Sequence, residues 1–480
     1  MVAEAIAKAD SIGLAADGWS NIRNEPIVNF VVTTPTPFLY KVLPTGKSSH
    51  TAEFMAQETS RVINEIGQQK VFGLVTDNAA NMKAAWKILE AKYPRTNLFT
   101  YGCLAHSLQL MFTDIKTLPT LKTFTANAKA CIKAIKNSHK LNSAFIEKQS
   151  TTGLQISLKL PVKTRWGSLV SCFESLKENK QTIKAIAIDE GLSDALNKVP
   201  SLKKLMLSDD FWDKVSRFSS LLKPISDTIK IVESDTPQLS KVLSLYKKIE
   251  DSMEKILKDE VQNPLTKSEE KKVREILKHR KEFAVYDVHK IANLLDPRFK
   301  GCDLTPEEET IATEQIYNTA VKIADIDEDT VLTELANYIA KQGFFSKTFL
   351  WSSVTKITPI AWWAGLCKST ALSKLALKFL SLPTTSAACE RTFSTYSDVH
   401  SKKRNRLTND RASKIVYIAH NLRLKSEKTK EEHEEAPGIE NMTVIQSVEE
   451  MDEDEETDEN SDSDKTNEST ETETESEDEE

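Results

Sequence analysis

Three acidic residues stand far apart in this chain, each in a local setting that suits a metal-bound carboxylate. Asp17 follows a short apolar run in Ala15-Ala16-Asp17-Gly18-Trp19-Ser20, and Asp77 follows another in Leu74-Val75-Thr76-Asp77-Asn78. Glu390 sits on a helix opened by Pro383 and small residues, in Leu382-Pro383-Thr384-Thr385-Ser386-Ala387-Ala388-Cys389-Glu390-Arg391-Thr392-Phe393-Ser394. Carboxylates at or just beyond neighbouring strand ends converge on the rim of a sheet. There they can hold Mg²⁺ or Mn²⁺, hard cations that take oxygen ligands and keep waters for chemistry. Two such ions roughly 3.5–4 Å apart activate a water and stabilise the leaving oxygen in phosphodiester cleavage. By local reasoning alone Asp17 reads equally as a turn residue and Asp77 as a helix cap.

Other residues carry polar or aromatic chemistry. Cys103 and His106 form a Cys-x-x-His pair, but no second pair follows at workable spacing, so structural zinc is not expected. His106 opens the helix after the fifth strand, either at the rim of the site or as an ordinary helix-start histidine. Arg165-Trp166 is a basic-aromatic pair suited to holding a phosphate while stacking on an unpaired base, or else a core tryptophan. Lys402, Lys403, Arg404 and Arg406, just beyond the Glu390 segment, read as a phosphate-binding surface or a nuclear import signal. Trp362-Trp363 reads as packing at a subunit or interdomain contact.

The elements that must position these residues follow from periodicity. Ser11 to Ala16, Pro26 to Thr34 and Phe38 to Leu43 are strand-like, the last two rich in β-branched and aromatic residues. Thr51 to Ile66 has a helical apolar face, and Val71 to Val75 is a short apolar run of the kind buried in a parallel sheet. A helix capped by Asn78 or Asn81 carries Met82, Ala85, Trp86 and Leu89 inward; a strand at Leu98 to Tyr101 and a helix from Leu104 to Ile115 follow. The order βββαβαβα is a ribonuclease H-like arrangement covering the first 115 residues. Residues 120 to 380 are almost wholly helical in pattern, and residues 427 to 480 lack the apolar period needed to order. The predicted fold class is therefore α/β plus all-α: a mixed sheet, a long helical insertion and a disordered acidic C-terminal tail.

The bulk numbers fit a nucleic-acid partner. The 480 residues carry a net charge of −7, but residues 431–480 hold 24 Asp/Glu against one Lys. Residues 1–430 keep 63 Lys/Arg and 47 Asp/Glu, a net +16, which suits a polyanion such as DNA. No 18-residue apolar run exists and the start lacks the features of a signal peptide, so no membrane role and an intracellular location are expected. The six scattered cysteines are expected to be reduced.

Taken in order, the DGWS (17–20), TDNAANM (76–82), GCLAHSLQL (102–110), RW-G-S (165–168) and SAACERTFS (386–394) stretches, followed by HSKKRNRL (400–407), resemble the hAT superfamily of transposases. The likeness is to the branch related to BED-type zinc-finger proteins and runs from about residue 8 to 425. It implies a ribonuclease H-like catalytic core beginning at 8–175, a helical insertion domain at 176–339, and a C-terminal dimerisation region at 340–425 that completes the core. The tail at 427–480 lies outside the pattern. It further implies Asp17, Asp77 and Glu390 as the metal-binding catalytic triad of DNA strand cleavage and transfer. His106 would lie beside that site, and Trp166 would stack on a flipped base during hairpin formation. DNA, a second copy of the chain in a homodimer or higher oligomer, and a nuclear location follow. The sequence holds no Cys-x-x-Cys…His-x(3–5)-His finger, so it is expected to be a fragment or a remnant without the N-terminal BED module. The alternative expectation is a domesticated, catalytically inactive nuclear dimer that binds DNA or chromatin in transcription regulation, its acidic tail competing with DNA for the basic body.

Overall fold

Five segments pair into one sheet, most of them rich in β-branched and aromatic residues: β1 (Ile12–Ser20), β2 (Pro26–Thr33), β3 (Pro37–Pro44), β4 (Val71–Thr76) and β5 (Phe99–Gly102). Their spatial order is β3-β2-β1-β4-β5. β1, β2 and β3 pair antiparallel, while β4 and β5 run parallel to β1. This computed structural model describes residues 1–21, 24–34, 36–153, 155–162, 167–197, 200–400 and 407–434. The predicted tail therefore lies outside the described residues, apart from the end of the last helix. Residues 1–429 form one unit and 430–480 a second.

Strand residues alternate between two apolar cores, as the two-residue period of a pleated strand requires. Ile12, Leu14 and Ala16 face one core together with helices α1 (Ala52–Ile66) and α2 (Ala80–Lys92). Ala15, Ile27, Val31 and Val75 face the other, which begins with α3 (Leu104–Lys116) and α4 (Pro119–Lys136). That second core continues through α5 (Ser168–Glu178), α6 (Asp209–Val232) and the many helices up to residue 380, matching the helical pattern read from the sequence.

The C-terminal segment returns to this sheet. Gly13 and Gly73 are partners in the β1–β4 pairing, and both are glycine because the chain lies directly on them. A Cβ on Gly73 would come within 2.7 Å of Leu382 Cδ2, and one on Gly13 would collide with the ring of Pro383. Leu382 is fully buried in that seat, a transfer worth about 2 kcal/mol. Backbone contacts hold the rest of the strap: Tyr101 Oη donates to Pro383 O at 2.7 Å, and Leu104 N–H to Thr384 O at 3.3 Å. Helix α7 (Ala387–Val399) then packs on β1, with Phe393 stacked on Trp19 at 5.5 Å. Asn29, buried in mid-β2, donates to Thr392 Oγ1, which fixes the register of α7. Finally α8 (Asn409–Glu434) covers the edge strand: Asn421 accepts from Leu39 N–H and donates to Leu39 O at 3.1 and 3.0 Å. An edge whose backbone groups are taken in this way is closed to further strands.

Two expectations are corrected and a third is narrowed. The first strand does not stop at Ala16 but runs to Ser20, because β2 continues to offer partners as far as Pro26. Neither Asn78 nor Asn81 caps α2; its N-cap is Ala79, without a side-chain bond. Asn78 instead fills the space over Gly102 and bonds Ser107 and Tyr286, and Asn81 donates to His50 O. Trp362 and Trp363 pack, as expected, and of the two contacts considered the subunit one is excluded: both are fully buried within the chain, their indoles donating to Leu350 O and Leu295 O. On α8, Val416 is buried while Ile415, Ile418 and Leu422 are exposed.

Candidate active site

The β1–β4 pairing ends at Ala15 and Val75, while β1 goes on alongside β2. Asp17 therefore stands two residues past the last parallel pair, at the carboxyl-end rim of the parallel strands, where open α/β sheets place their ligands. Asp77 stands one residue past β4 on the same rim. Asp17 is paired with Asn29 in the β1–β2 ladder and is 8% exposed.

Three of the residues singled out in the sequence meet here. One ligand atom each of Asp17, His106 and Glu390 lie within 4.8 Å of one another. They come from β1, the first turn of α3 and the first turn of α7, and His106 Nδ1 is 3.7 Å from Glu390 Oε1. The strap delivers Glu390: Ser386 N–H donates to Cys103 Sγ at 3.3 Å, tying the start of α7 to the start of α3. Arg391, next along, turns away to Glu233 O and Asp235. Asp77 is not part of the tight cluster. It lines a cleft of about 210 Å³ with Asp17, His50 and Asn81, and its Oδ1 accepts from Ala79 N–H at 3.1 Å. Arg165, Trp166, Lys402, Lys403, Arg404 and Arg406 lie outside the described residues.

The cluster is electrostatically unbalanced. Burial, reinforced by the charge of Asp77, pushes the Asp17 carboxyl from 3.8 up to about 7, against the opposing pull of His106 and the Gly18 amide. Burial likewise pushes Glu390 up to about 9, with Cys103, Asp17 and Glu233 adding to it and His106 opposing. Burial disfavours charge on His106 too, but Cys103, Asp17 and Glu390 outweigh it and lift the imidazole to about 10. Cys103 is held below its ordinary value despite burial, because His106 and Ser386 bond its sulfur. Glu390 Oε1 is buried without a hydrogen-bond partner. A buried carboxyl oxygen with no donor, beside a second carboxyl group, is a place where a divalent cation could displace the protons and serve as the missing partner. Asp17 and Glu390 fit as ligands to Mg²⁺ or Mn²⁺, with Asp77 facing the adjoining cleft.

Two features were not legible as site residues. His50 enters the Asp17/Asp77 cleft from the loop before α1, with no spacing signal linking it to either aspartate. One turn beyond His106 on α3, Gln109 opens a groove of about 380 Å³ walled by Phe112, Val162 and three lysines: Lys116, Lys122 and Lys129. Among the described residues no carboxylate lines it, and Gln109 Oε1 and Thr125 Oγ1 on its walls are buried without hydrogen-bond partners.

Comparison with known proteins bears on the same segments. Residues 4–131 match a domain of unknown function, DUF659, and residues 334–422 match the hAT family C-terminal dimerisation region. The human protein "Zinc finger BED domain-containing protein 4" is 21% identical over 360 residues, covering 67% of this chain and 29% of that protein. This chain thus spans under a third of the length of that curated relative. The first match carries β1 to β5 with Asp17, Asp77 and His106, and the second carries the strap, Glu390 and most of α8. Together these matches support an hAT-type, transposase-like protein.

Proposed function

We propose that this chain carries out metal-dependent DNA strand cleavage and transfer with Asp17, Asp77 and Glu390, on a ribonuclease H-like core, and that it works as a nuclear dimer. The observation that carries this reading is the convergence of Asp17, His106 and Glu390 from segments up to 373 residues apart onto one rim. A divalent cation bound there supplies Lewis acidity, polarising the scissile phosphate and making a bound water more acidic. The chain's own residues prepare the place. Asp17 and Glu390 bring two carboxyl groups to one point beside the His106 imidazole, Asp77 adds a third on the cleft side, and His106 offers an N–H donor toward the phosphate. The lysine-rimmed groove beyond His106 supports a DNA partner, since three cations with no acidic wall suit a phosphate backbone. Self-association is supported by the match at residues 334–422. No helix among the described residues is long and apolar enough to cross a membrane.

A second reading is DNA binding without cleavage, in a domesticated regulator of transcription. It is favoured by the position of Asp77, whose carboxylate is engaged by a backbone amide and stands outside the tight cluster. One experiment separates the two: Mn²⁺-dependent nicking of plasmid, and hairpin formation on pre-nicked duplex, by the wild type and Asp77→Asn. Activity lost in the variant supports the first reading. No activity in either, with salt-sensitive DNA binding intact, refutes it in favour of the second.

A further inference from the structure

His50 shares the cleft of Asp17 and Asp77, and its hydrogen bonds fix which ring nitrogen carries the proton. Thr45 Oγ1 lies 2.8 Å from His50 Nε2 and 3.1 Å from the carbonyl oxygen of Pro26. A carbonyl can only accept, so the single hydroxyl proton of Thr45 goes to Pro26, and Thr45 Oγ1 accepts from His50 Nε2–H. The neutral ring is therefore the Nε2–H tautomer, with its lone pair on Nδ1. Nδ1 lies over β1 at Gly18, where an added Cβ would stand only 3.3 Å from it, so glycine gives the ring its seat on the cleft wall.

The imidazole is also held still. Its ring stacks on Phe54, at 6.0 Å between centroids and 3° between planes, and Asn81 Nδ2 donates to His50 O at 2.7 Å. Asn81 and Asp77 precede and open α2, so the aspartate and the histidine are located by the same turn of chain. Burial keeps the imidazole below its usual value and so neutral at pH 7, and the titratable groups lining the cleft with it are Asp17 and Asp77. A fixed, neutral ring with an unprotonated nitrogen, on the wall of a cleft it shares with two carboxyl groups, is suited to accept a proton.

We propose that His50 is a further catalytic residue, its Nδ1 taking the proton from the hydroxyl that attacks phosphorus; this rests on the strand-cleavage reading above. The attacking oxygen belongs to water or to a DNA 3′-hydroxyl. Its new bond to phosphorus forms as its O–H bond breaks toward Nδ1. The phosphorus–oxygen bond to the departing strand breaks with its electron pair on that oxygen, which collects a proton from solvent, and His50 returns its own proton to solvent. Thr45 acts through His50, as a positioning residue that keeps the lone pair on the correct nitrogen.

The test uses the full chain and supercoiled plasmid with Mn²⁺, comparing wild type, His50→Ala and Thr45→Val, together with ¹⁵N spectra of the His50 ring in the wild type. The spectra are expected to show Nε2 protonated and Nδ1 bare at pH 7.5. His50→Ala is expected to nick about 10²-fold more slowly or worse, with DNA affinity unchanged, and imidazole in the buffer is expected to restore roughly tenfold of the loss. Thr45→Val frees the ring to take either tautomer and should slow nicking by a smaller factor. If the wild type nicks and His50→Ala stays within about twofold of it, against the loss expected of a proton-transfer group, the proposal is overturned while strand cleavage stands. A protonated Nδ1 in the wild-type spectrum overturns it as well, whatever the variant does. If the wild type cuts no strand, the cleavage reading itself falls and the role of His50 falls with it.

Discussion

Replacing Asp17 with asparagine should make the metal-free protein more stable at alkaline pH and remove its response to divalent cations. Asp17 is 8% exposed, and burial together with the charge of Asp77 moves its carboxyl from 3.8 to about 7. The folded state thus holds this proton more tightly than the unfolded chain does. The stability it contributes is fully present below about pH 4 and is lost as the pH rises to about 7. At 1.36 kcal/mol per unit, the ionised folded protein at pH 8 is about 4 kcal/mol less stable than it would be with an ordinary carboxyl there, and at pH 5 only about 1.5 kcal/mol less. Asparagine keeps an Oδ1 to accept the Gly18 N–H that now bonds Asp17 at 2.8 Å, and it carries no charge. It also removes one of the charges that hold His106 up, which trims the gain. Urea unfolding in EDTA should therefore show the variant ahead of wild type by up to about 4 kcal/mol at pH 8, and by clearly less at pH 5. Mn²⁺ at 100 times its Kd should add about 2.7 kcal/mol to the wild type and nothing to the variant. An asparagine variant less stable than wild type at pH 8, or ahead by the same margin at both pH values, would refute the electrostatic account of this site.

Two further outcomes are expected. Exchanging Lys116, Lys122 and Lys129 for glutamine should weaken binding to duplex DNA and lower the slope of log K against log salt by about 0.9 for each phosphate no longer neutralised; an unchanged slope in fluorescence anisotropy would remove the groove from the DNA path. Aspartate at Ile418 and Leu422, exposed at 55% and 56% on α8 within the matched dimerisation region, should shift the protein toward monomer in sedimentation velocity, with little change in melting temperature.

Much of this architecture is written in local periodicity. β2, β3 and β4 are runs of residues that suit a pleated, buried surface, and α1 and α2 show one apolar side each, so element type and order follow directly. The rim position of Asp17 and Asp77 follows once those strands are adjacent. What local pattern could not give is where a neighbour overrides it. β1 continues past its apolar run because β2 offers hydrogen bonds, and no residue within Asp17-Gly18-Trp19-Ser20 announces that. Asn78 has the composition of a helix cap, yet Gly102, 24 residues later, opens a space that its side chain fills. The place of His50 depends on Thr45, Pro26 and Gly18, which lie on three separate stretches around the rim. The same holds for the lysine groove, whose cations come from two successive helices and read singly as solvated charges.

The path of the strap explains how a third acidic residue nearly four hundred positions from the first is held with the geometry of a local contact. Gly13 and Gly73 leave a flat seat across β1 and β4, and Leu382-Pro383 fills it; the bond from Ser386 N–H to Cys103 Sγ then sets the start of α7 against the start of α3. Every one of these contacts is made by residues 382–386, so Glu390 arrives one helical turn later with little freedom left. The helices of residues 120–380 must bring the chain back to the sheet for the carboxyl groups to meet, and burying Asp17 and Glu390 there disfavours their charged forms. The apolar seat and the backbone bonds offset that cost. The strap and Glu390 both belong to the segment that matches the hAT family C-terminal dimerisation region, so the proposed site and the proposed self-association draw on the same stretch of chain.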